Sequence, residues 1–333
     1  MNSKHASSPC CRAKFRRFGP RRRQCIECGR TWTVRPKRRG RPRHRVAPYA
    51  LKRVLVDGLT LTQLYSLRSE VALPAYRYRF RQALVRCVQR PFPHKLPTGP
   101  LVLLADGIWF QFDGVPWVLY LTALKPCDGS QATFLDPVLL PGKEGATRWQ
   151  QVIDALPAEA VPRIRAVVVD NLPGLQKIAA QRRWALQLCH FHLLLKLLAQ
   201  RGRVRYRLRG GSVRETIHGL IRCALDMPDG ERHKAIIQRL HRLSEGDCGT
   251  ERTKSMVCEF LKDLRHYRTY LRQPELGLPK TTNTVESMCG VVRALLRRTR
   301  AGSNPKSVLL WSTALIRLRP QIVCNGHQIN RKS

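Results

Sequence analysis

The sequence predicts an α/β protein, with a sheet-forming region in the middle of the chain, helices on either side of it and a strongly basic segment in front. Three observations carry that expectation. Between 101 and 140 lie three apolar, aromatic-rich runs, LVLLADGIWFQF, VPWVLYLTAL and QATFLDPVLL, separated by Asp-Gly and Asp-Gly-Ser turns in the manner of an antiparallel meander. IRAVVVD, 164–170, is continuously apolar, as a strand covered on both faces is. From 190 to about 278 apolar residues recur with helical spacing, in FHLLLKLLAQ, IHGLIRCALDM, HKAIIQRLHRL and EFLKDLRHYRTYL.

Charge narrows the partner. Lys plus Arg number 61 against 22 Asp plus Glu, a formal net charge of +39 over 333 residues. Small-molecule chemistry does not require such self-repulsion, so a polyanion is implied. The basic residues run along the whole chain, which points to a nucleic acid lying across several domains, although arginine enrichment also follows from a GC-rich genome. An anionic membrane is the other surface of matching charge. No apolar run approaches 18 residues, and MNSKHASSPCCRAKFRRF has no hydrophobic segment behind its basic start, so a soluble, cytoplasmic protein is expected. A hydrophobic content of 43% is enough to bury a core in two or three domains. Of the 12 cysteines, Cys87, Cys127, Cys223, Cys248, Cys258, Cys289 and Cys324 are isolated and read as small core or surface residues, because intracellular thiols stay reduced.

The first fifty residues hold sixteen Lys or Arg and one acid, Glu27. Within them, Cys25-Ile-Glu-Cys28-Gly-Arg-Thr-Trp is half of a zinc knuckle, in which the turn aims two thiolates at one metal and Gly29 relieves the backbone. The other half is irregular. Cys10 is a third ligand, and adjacent cysteines do not easily both reach one tetrahedral ion, which leaves Cys11 or His5 as the fourth; the alternative is a metal-free basic arm. Residues 1–34 are thus a zinc-ribbon-like segment and 35–46 a basic linker, whose Arg38, Arg39 and Arg41 suit a minor groove or plain solvent.

Residues 47–90 read as three helices with breaks near Gly58 and Leu73-Pro74, Thr60 capping the second and Pro74 in the first turn of the third. Arg77, Arg79 and Arg81 on the third helix make this a helix-turn-helix able to enter a major groove, against a plain three-helix linker. PFPHKLPTGP, 91–100, marks the boundary before the sheet region. After the three β runs come a helix at about 146–156 with Trp149, Val152 and Leu156 on one face, the strand IRAVVVD, the helix NLPGLQKIAAQRR and the short strand WALQLC. Strand, strand, strand, helix, strand, helix, strand is the ribonuclease H-like order. A helical insertion, about 193–278, separates it from the helix beginning near TTNTVE, and NPKSVLLWSTALIRLRP closes a core domain of 100–320, with 321–333 as tail.

Three acids stand apart in this basic chain: Asp106 in LLADGIWF, Asp170 in AVVVDN and Glu286 in TTNTVE. The first two end or interrupt apolar strands, where an acid needs a compensating partner; Asp113, Asp128, Asp136 and Asp154 read as turn or cap residues. TTN can cap the helix, with Glu286 in its first turn as a metal ligand or as a capping glutamate. In such a sheet the first and fourth strands are neighbours, so Asp106 and Asp170 converge. Carboxylates select hard ions, and a pair of Mg2+ or Mn2+ ions here would support phosphoryl transfer. Cys189 and His192 follow the second acid, as a metal or nucleophile pair or as packing and hydrogen-bonding groups beside the site.

On these residues the chain resembles the bacterial insertion-sequence DDE transposases of the Mutator-like class. The resemblance rests on Asp106, Asp170 and the TTNTVE Glu286, with Cys189-His190-Phe191-His192 after the second acid and a helical insertion before the third. It covers roughly 100–320, and the knuckle followed by a helix-turn-helix is similar to the zinc-binding variants. The resemblance implies a catalytic triad of Asp106, Asp170 and Glu286 holding two Mg2+ or Mn2+ ions, with Cys189 and His192 as the CxxH signature. It further implies binding of terminal inverted repeats, strand cleavage, joining of 3′ hydroxyls to target DNA, and a homodimer or larger synaptic complex at the nucleoid. A catalytically inactive or domesticated relative acting as a DNA-binding regulator is the alternative.

Overall fold

The computed structural model describes residues 7–33, 48–68, 72–92, 95–171, 173–198, 211–246 and 250–324. It divides into two units, Met1–Arg45 and Val46–Ser333. His5, Arg38, Arg39 and Arg41 lie outside the described residues.

The first unit is a three-stranded antiparallel sheet of β1 (Phe15–Arg17), β2 (Arg22–Cys25) and β3 (Thr31–Thr33). Strands this short bury little, and the packing comes largely from Phe15 edge-on to Trp32, with ring centroids 5.5 Å apart. The β2–β3 connection is the CxxC turn, and Gly29 adopts φ 68° there.

The second unit begins with α1 (Pro48–Leu55), α2 (Leu61–Arg68) and α3 (Leu73–Gln89). Thr60 and Gln63 form a reciprocal cap: Gln63 N donates to Thr60 Oγ1 at 3.2 Å and Thr60 N to Gln63 Oε1 at 2.9 Å. Pro74 sits in the first turn of α3, where its missing N–H costs nothing.

A mixed sheet follows: β4 (Leu101–Phe112), β5 (Val115–Pro126), β6 (Gln131–Phe134), β7 (Val138–Pro141), β8 (Ile164–Val169), β9 (Ala185–Leu188) and β10 (Gln321–Val323). Its order is β10-β6-β5-β4-β8-β9, with β7 also on β5. β4 is antiparallel to β5 and parallel to β8, which is parallel to β9. Asp113 (φ 49°) and Gly114 (φ 78°) make the two-residue turn between β4 and β5. Asp106-Gly107, the same dipeptide, makes no turn: β4 runs straight through it, paired to β5 along its whole length. The third apolar run is two strands, because Pro137 cannot donate to the ladder and the chain breaks at Leu135-Asp136-Pro137.

The remaining helices are α4 (Ala146–Asp154), α5 (Pro173–Gln181), α6 (His190–Leu198), α7 (Gly211–Asp226), α8 (Glu231–Glu245), α9 (Glu251–Tyr267), α10 (Thr269–Arg272), α11 (Asn283–Thr299) and α12 (Pro305–Leu318). Alternation along the strands sorts them into two layers. Val102, Leu104 and Ile108 face a core shared with α1–α3, α11 and α12; Leu101, Leu103 and Ala105 face one shared with α4–α7 and α9. The first three helices therefore belong to the same packed body as the sheet, with Phe80 of α3 stacked on Trp311 of α12.

Two acids read as turn or cap residues have other partners. Asp136 accepts from buried Arg317, Nε at 2.8 Å, and the guanidinium also donates to the carbonyls of Cys87 and Arg90, so one side chain ties α12, α3 and the β6–β7 break together. Asp154 accepts from Gln150 Nε2 at 2.7 Å and pairs with Arg182 at 3.1 Å. Residues 321–323, expected as tail, form β10 on the edge of β6. Among the described residues no helix is long and apolar enough to cross a membrane.

Candidate active site

The β4–β8 register pairs Leu104 with Val168. Asp106 and Asp170 lie two residues further along each chain, Asp106 on the Leu104 side of the sheet and Asp170 just past the end of β8, and adjacent strands are only about 4.8 Å apart. That side faces α11, whose Val285, Met288, Cys289, Val292 and Leu296 recur at helical spacing and are buried. Glu286 is in the first turn of α11, on the side of Cys289, and is thereby carried to the same strand ends.

Polar contacts hold the Asp106 and Glu286 carboxylates. Gly107 N donates to Asp106 Oδ1 at 2.7 Å, and Cys289 Sγ stands 3.5 Å from Asp106 Oδ2. Thr282 Oγ1 donates to Glu286 Oε1 at 2.9 Å. Thr282 occupies the N-cap position of α11 but makes no side-chain cap, its hydroxyl being used on the acid instead; within TTN it is the Thr281 hydroxyl that accepts from Asn283 N, at 3.5 Å. Cys189, the residue after β9, is buried; Thr282 N and Oγ1 lie 3.3 and 3.2 Å from its sulfur, and Glu286 Oε1 is 4.0 Å away. His192 Nδ1 is 3.3 Å from Glu286 Oε1, yet off line for a hydrogen bond and otherwise without a partner. Asn171, next to Asp170, donates to Asp263 of α9 at 3.2 Å and so fastens the insertion to the site.

Like charge and burial act together here. Burial raises the Asp170 carboxyl above its usual range, and Asp106 adds to it while His192 opposes. Burial likewise raises Glu286, opposed by His192 and Thr282 and reinforced by Asp106 and Asp170. His192 itself is lifted to about 9, chiefly by the Cys189 sulfur beside it, against burial and with help from Glu286 and Asp170.

A fourth carboxylate, which sequence reading missed, shares the site. Glu144 stands between β7 and α4 and accepts from Trp149 Nε1 at 3.0 Å. Burial, then Asp170, raise its carboxyl to about 7, with Asp106 adding and Trp149 opposing. A Cβ on Gly107 would lie 3.0 Å from Val118 Cγ1 and 3.1 Å from Glu144 Oε1, so glycine at 107 makes the space this carboxylate fills. Burial and neighbouring carboxylates thus raise the proton affinity of Asp170, Glu286 and Glu144, although among the described residues the oxygens of Asp106, Asp170, Glu144 and Glu286 do not all lie within 4.8 Å of one another.

The other predicted residues fall elsewhere. In the first unit the sulfurs of Cys10, Cys11, Cys25 and Cys28 all lie within 4.8 Å of one another, a cluster that can hold a structural zinc. Adjacent Cys10 and Cys11 do both reach it, contrary to the sequence-based expectation, because the turn at Arg12 (φ 53°) folds the segment back. Cys28 and Cys10 sulfurs approach to 3.3 Å. Hydrogen bonds from the Cys28 amide and from Ser8 lower Cys25 to about 6, which favours the thiolate that ligates metal. On α3, Arg77 and Arg81 are exposed and Arg79 is half-buried, while Phe80, Ala83 and Leu84 are packed.

Comparison with known proteins found no matching family model and no matching curated protein.

Proposed function

We propose that this chain is a DDE-type DNA transposase with a ribonuclease H-like core, which binds the terminal repeats of its own element, cuts the strand and joins the freed 3′ hydroxyl to target DNA. What supports the reading is the register that carries Asp106 and Asp170 toward the ends of neighbouring parallel strands, together with Glu286 on the helix packed against them, whose carboxyl is raised by both charges. Support also comes from the strand order, in which β4 lies inside the sheet, β5 is antiparallel to it and β8 and β9 are parallel to it.

Asp106, Asp170 and Glu286 would hold two Mg2+ or Mn2+ ions. When bound, such ions activate the attacking oxygen and neutralise charge on the phosphodiester. The chain's own groups set the stage for that chemistry. Gly107 N and Thr282 Oγ1 orient the carboxylates, leaving their remaining oxygens for ligation. Protonated His192 offsets the negative charge of Glu286 and Asp170 until a cation does so. Arg77 and Arg81, with the linker arginines, would read and grip the element ends, and the net charge of +39 supplies sequence-independent affinity. Strand joining requires two ends in one assembly, so a dimer or larger complex follows.

The test is cleavage of a labelled duplex bearing the repeats that flank the gene, in magnesium, by the parent protein and by Asp106→Asn, Asp170→Asn and Glu286→Gln. Cleavage by the parent alone supports the reading. End binding by all four with no cleavage by any would favour a DNA-binding regulator.

A further inference from the structure

Three donors at the edge of the acidic site are of a different chemical kind from the rest. We propose that Cys189, His192 and Glu286 bind one transition-metal ion of the zinc class, at a site separate in donor chemistry from the hard cations of Asp106 and Asp170.

The ligand atoms of these three side chains all lie within 4.8 Å of one another. Tetrahedral zinc with ordinary bond lengths sets its N and O ligands about 3.3 Å apart, the separation of His192 Nδ1 and Glu286 Oε1, 3.3 Å. The same geometry puts S and O about 3.6 Å apart, and Cys189 Sγ stands 4.0 Å from Glu286 Oε1, so a contraction of about 0.4 Å closes the set. His192 Nδ1 is buried and has no hydrogen-bond partner, which is costly in a protein interior unless another ligand takes up the nitrogen. Thr282 supports two of the ligands, with N and Oγ1 near the Cys189 sulfur and the hydroxyl on Glu286 Oε1, as an outer shell orients metal ligands. Cys189 precedes α6 and His192 lies in its first turn, so one helix start delivers both donors.

One thiolate, one imidazole and one carboxylate select Zn2+ or Co2+ over Mg2+, and leave a fourth position for water. Glu286 belongs to both donor sets. Zinc on Oε1 would share the Glu286 carboxylate with magnesium on its other oxygen, a coupling that rests on the transposase reading, whereas the binding itself does not.

Co2+ is the probe, since its thiolate charge-transfer and tetrahedral visible bands report the donors, and no DNA is needed. The full-length parent is expected to take two thiolate-ligated Co2+ ions per chain. Cys25→Ser/Cys28→Ser, which removes the four-thiol cluster of the first unit, should take one, with a charge-transfer band roughly a quarter as intense as that of a four-thiolate site. Adding Cys189→Ser should abolish that band; adding His192→Gln should weaken binding by about tenfold or more. His192→Gln carries the test if Cys189→Ser does not fold, as judged by thermal melting. A double variant with no thiolate band, or a band that survives Cys189→Ser, overturns the site. Magnesium-dependent cleavage is measured separately: cleavage with no cobalt band sinks this site alone, and a cobalt band with no cleavage sinks the transposase reading alone.

Discussion

Glu144→Gln is expected to make the metal-free protein more stable at pH 8. Burial and the charges of Asp170 and Asp106 hold the Glu144 carboxyl at about 7 in the folded chain, against 4.5 for the free group. Between those values the folded state keeps a proton that the unfolded chain has released, so stability falls as pH rises through that window. The full difference corresponds to a penalty on the order of 3 kcal/mol, and solvent access to the half-buried side chain reduces it to about 1–2 kcal/mol. Glutamine keeps an oxygen for Trp149 Nε1, now at 3.0 Å, and carries no charge. The assay is urea unfolding in EDTA at pH 5 and pH 8. The parent should lose stability across that interval, and the variant should lose about 1–2 kcal/mol less. Asp170 and Glu286 are also raised, so the variant keeps some slope of the same sign. Excess magnesium at pH 8 should narrow the difference, because a cation offsets the repulsion. Equal slopes for the two proteins, or a variant less stable than the parent at pH 8 in EDTA, would refute the view that Glu144 belongs to a repulsive acidic cluster.

Other substitutions test other parts of the account. Arg317→Ala leaves Asp136 and the carbonyls of Cys87 and Arg90 without their donor and should cost about 3–5 kcal/mol in denaturant unfolding; a loss under 1 kcal/mol would contradict the tie between α12 and α3. Gly107→Ala should cost about 1–3 kcal/mol and cut magnesium-dependent cleavage, since the new methyl meets Val118 and Glu144; unchanged melting and cleavage would show that the space is not needed. Cys11→Ser should weaken zinc binding by the first unit, read by competition with a chromophoric chelator, and equal affinity in the parent would remove Cys11 from the ligand set.

Strong periodic signals are legible in the sequence alone. β4, β5, β8 and β9 and the helices between and after them follow apolar patterns long enough to have one reading, and Asp113-Gly114 turns where its dipeptide says it should. Asp106-Gly107 shows the limit of such local rules: long pairing with β5 overrides the turn preference, and the glycine serves Glu144 instead. Glu144 itself sits in PGKEGAT, where nothing nearby distinguishes it from a solvated loop residue; its partners Trp149 and Gly107 come from a helix and a strand. Cys289 likewise reads as plain core and lies against Asp106. β10 is only three residues, too short to carry a periodicity, and exists because β6 offers it an edge. Asp136 is recognisable as an ion-pair residue only once Arg317, 181 positions away, is beside it.

The central claim is strand joining, and it is tested most directly by sequencing the junctions formed when the purified protein, magnesium, a duplex carrying the flanking repeats and a target plasmid are incubated together. The account predicts repeat ends joined through their 3′ hydroxyls to target DNA by the parent and none by Asp170→Asn. Cut ends without junctions would mean a nuclease, and equal junctions from Asp170→Asn would take Asp170 out of the chemistry and contradict the account.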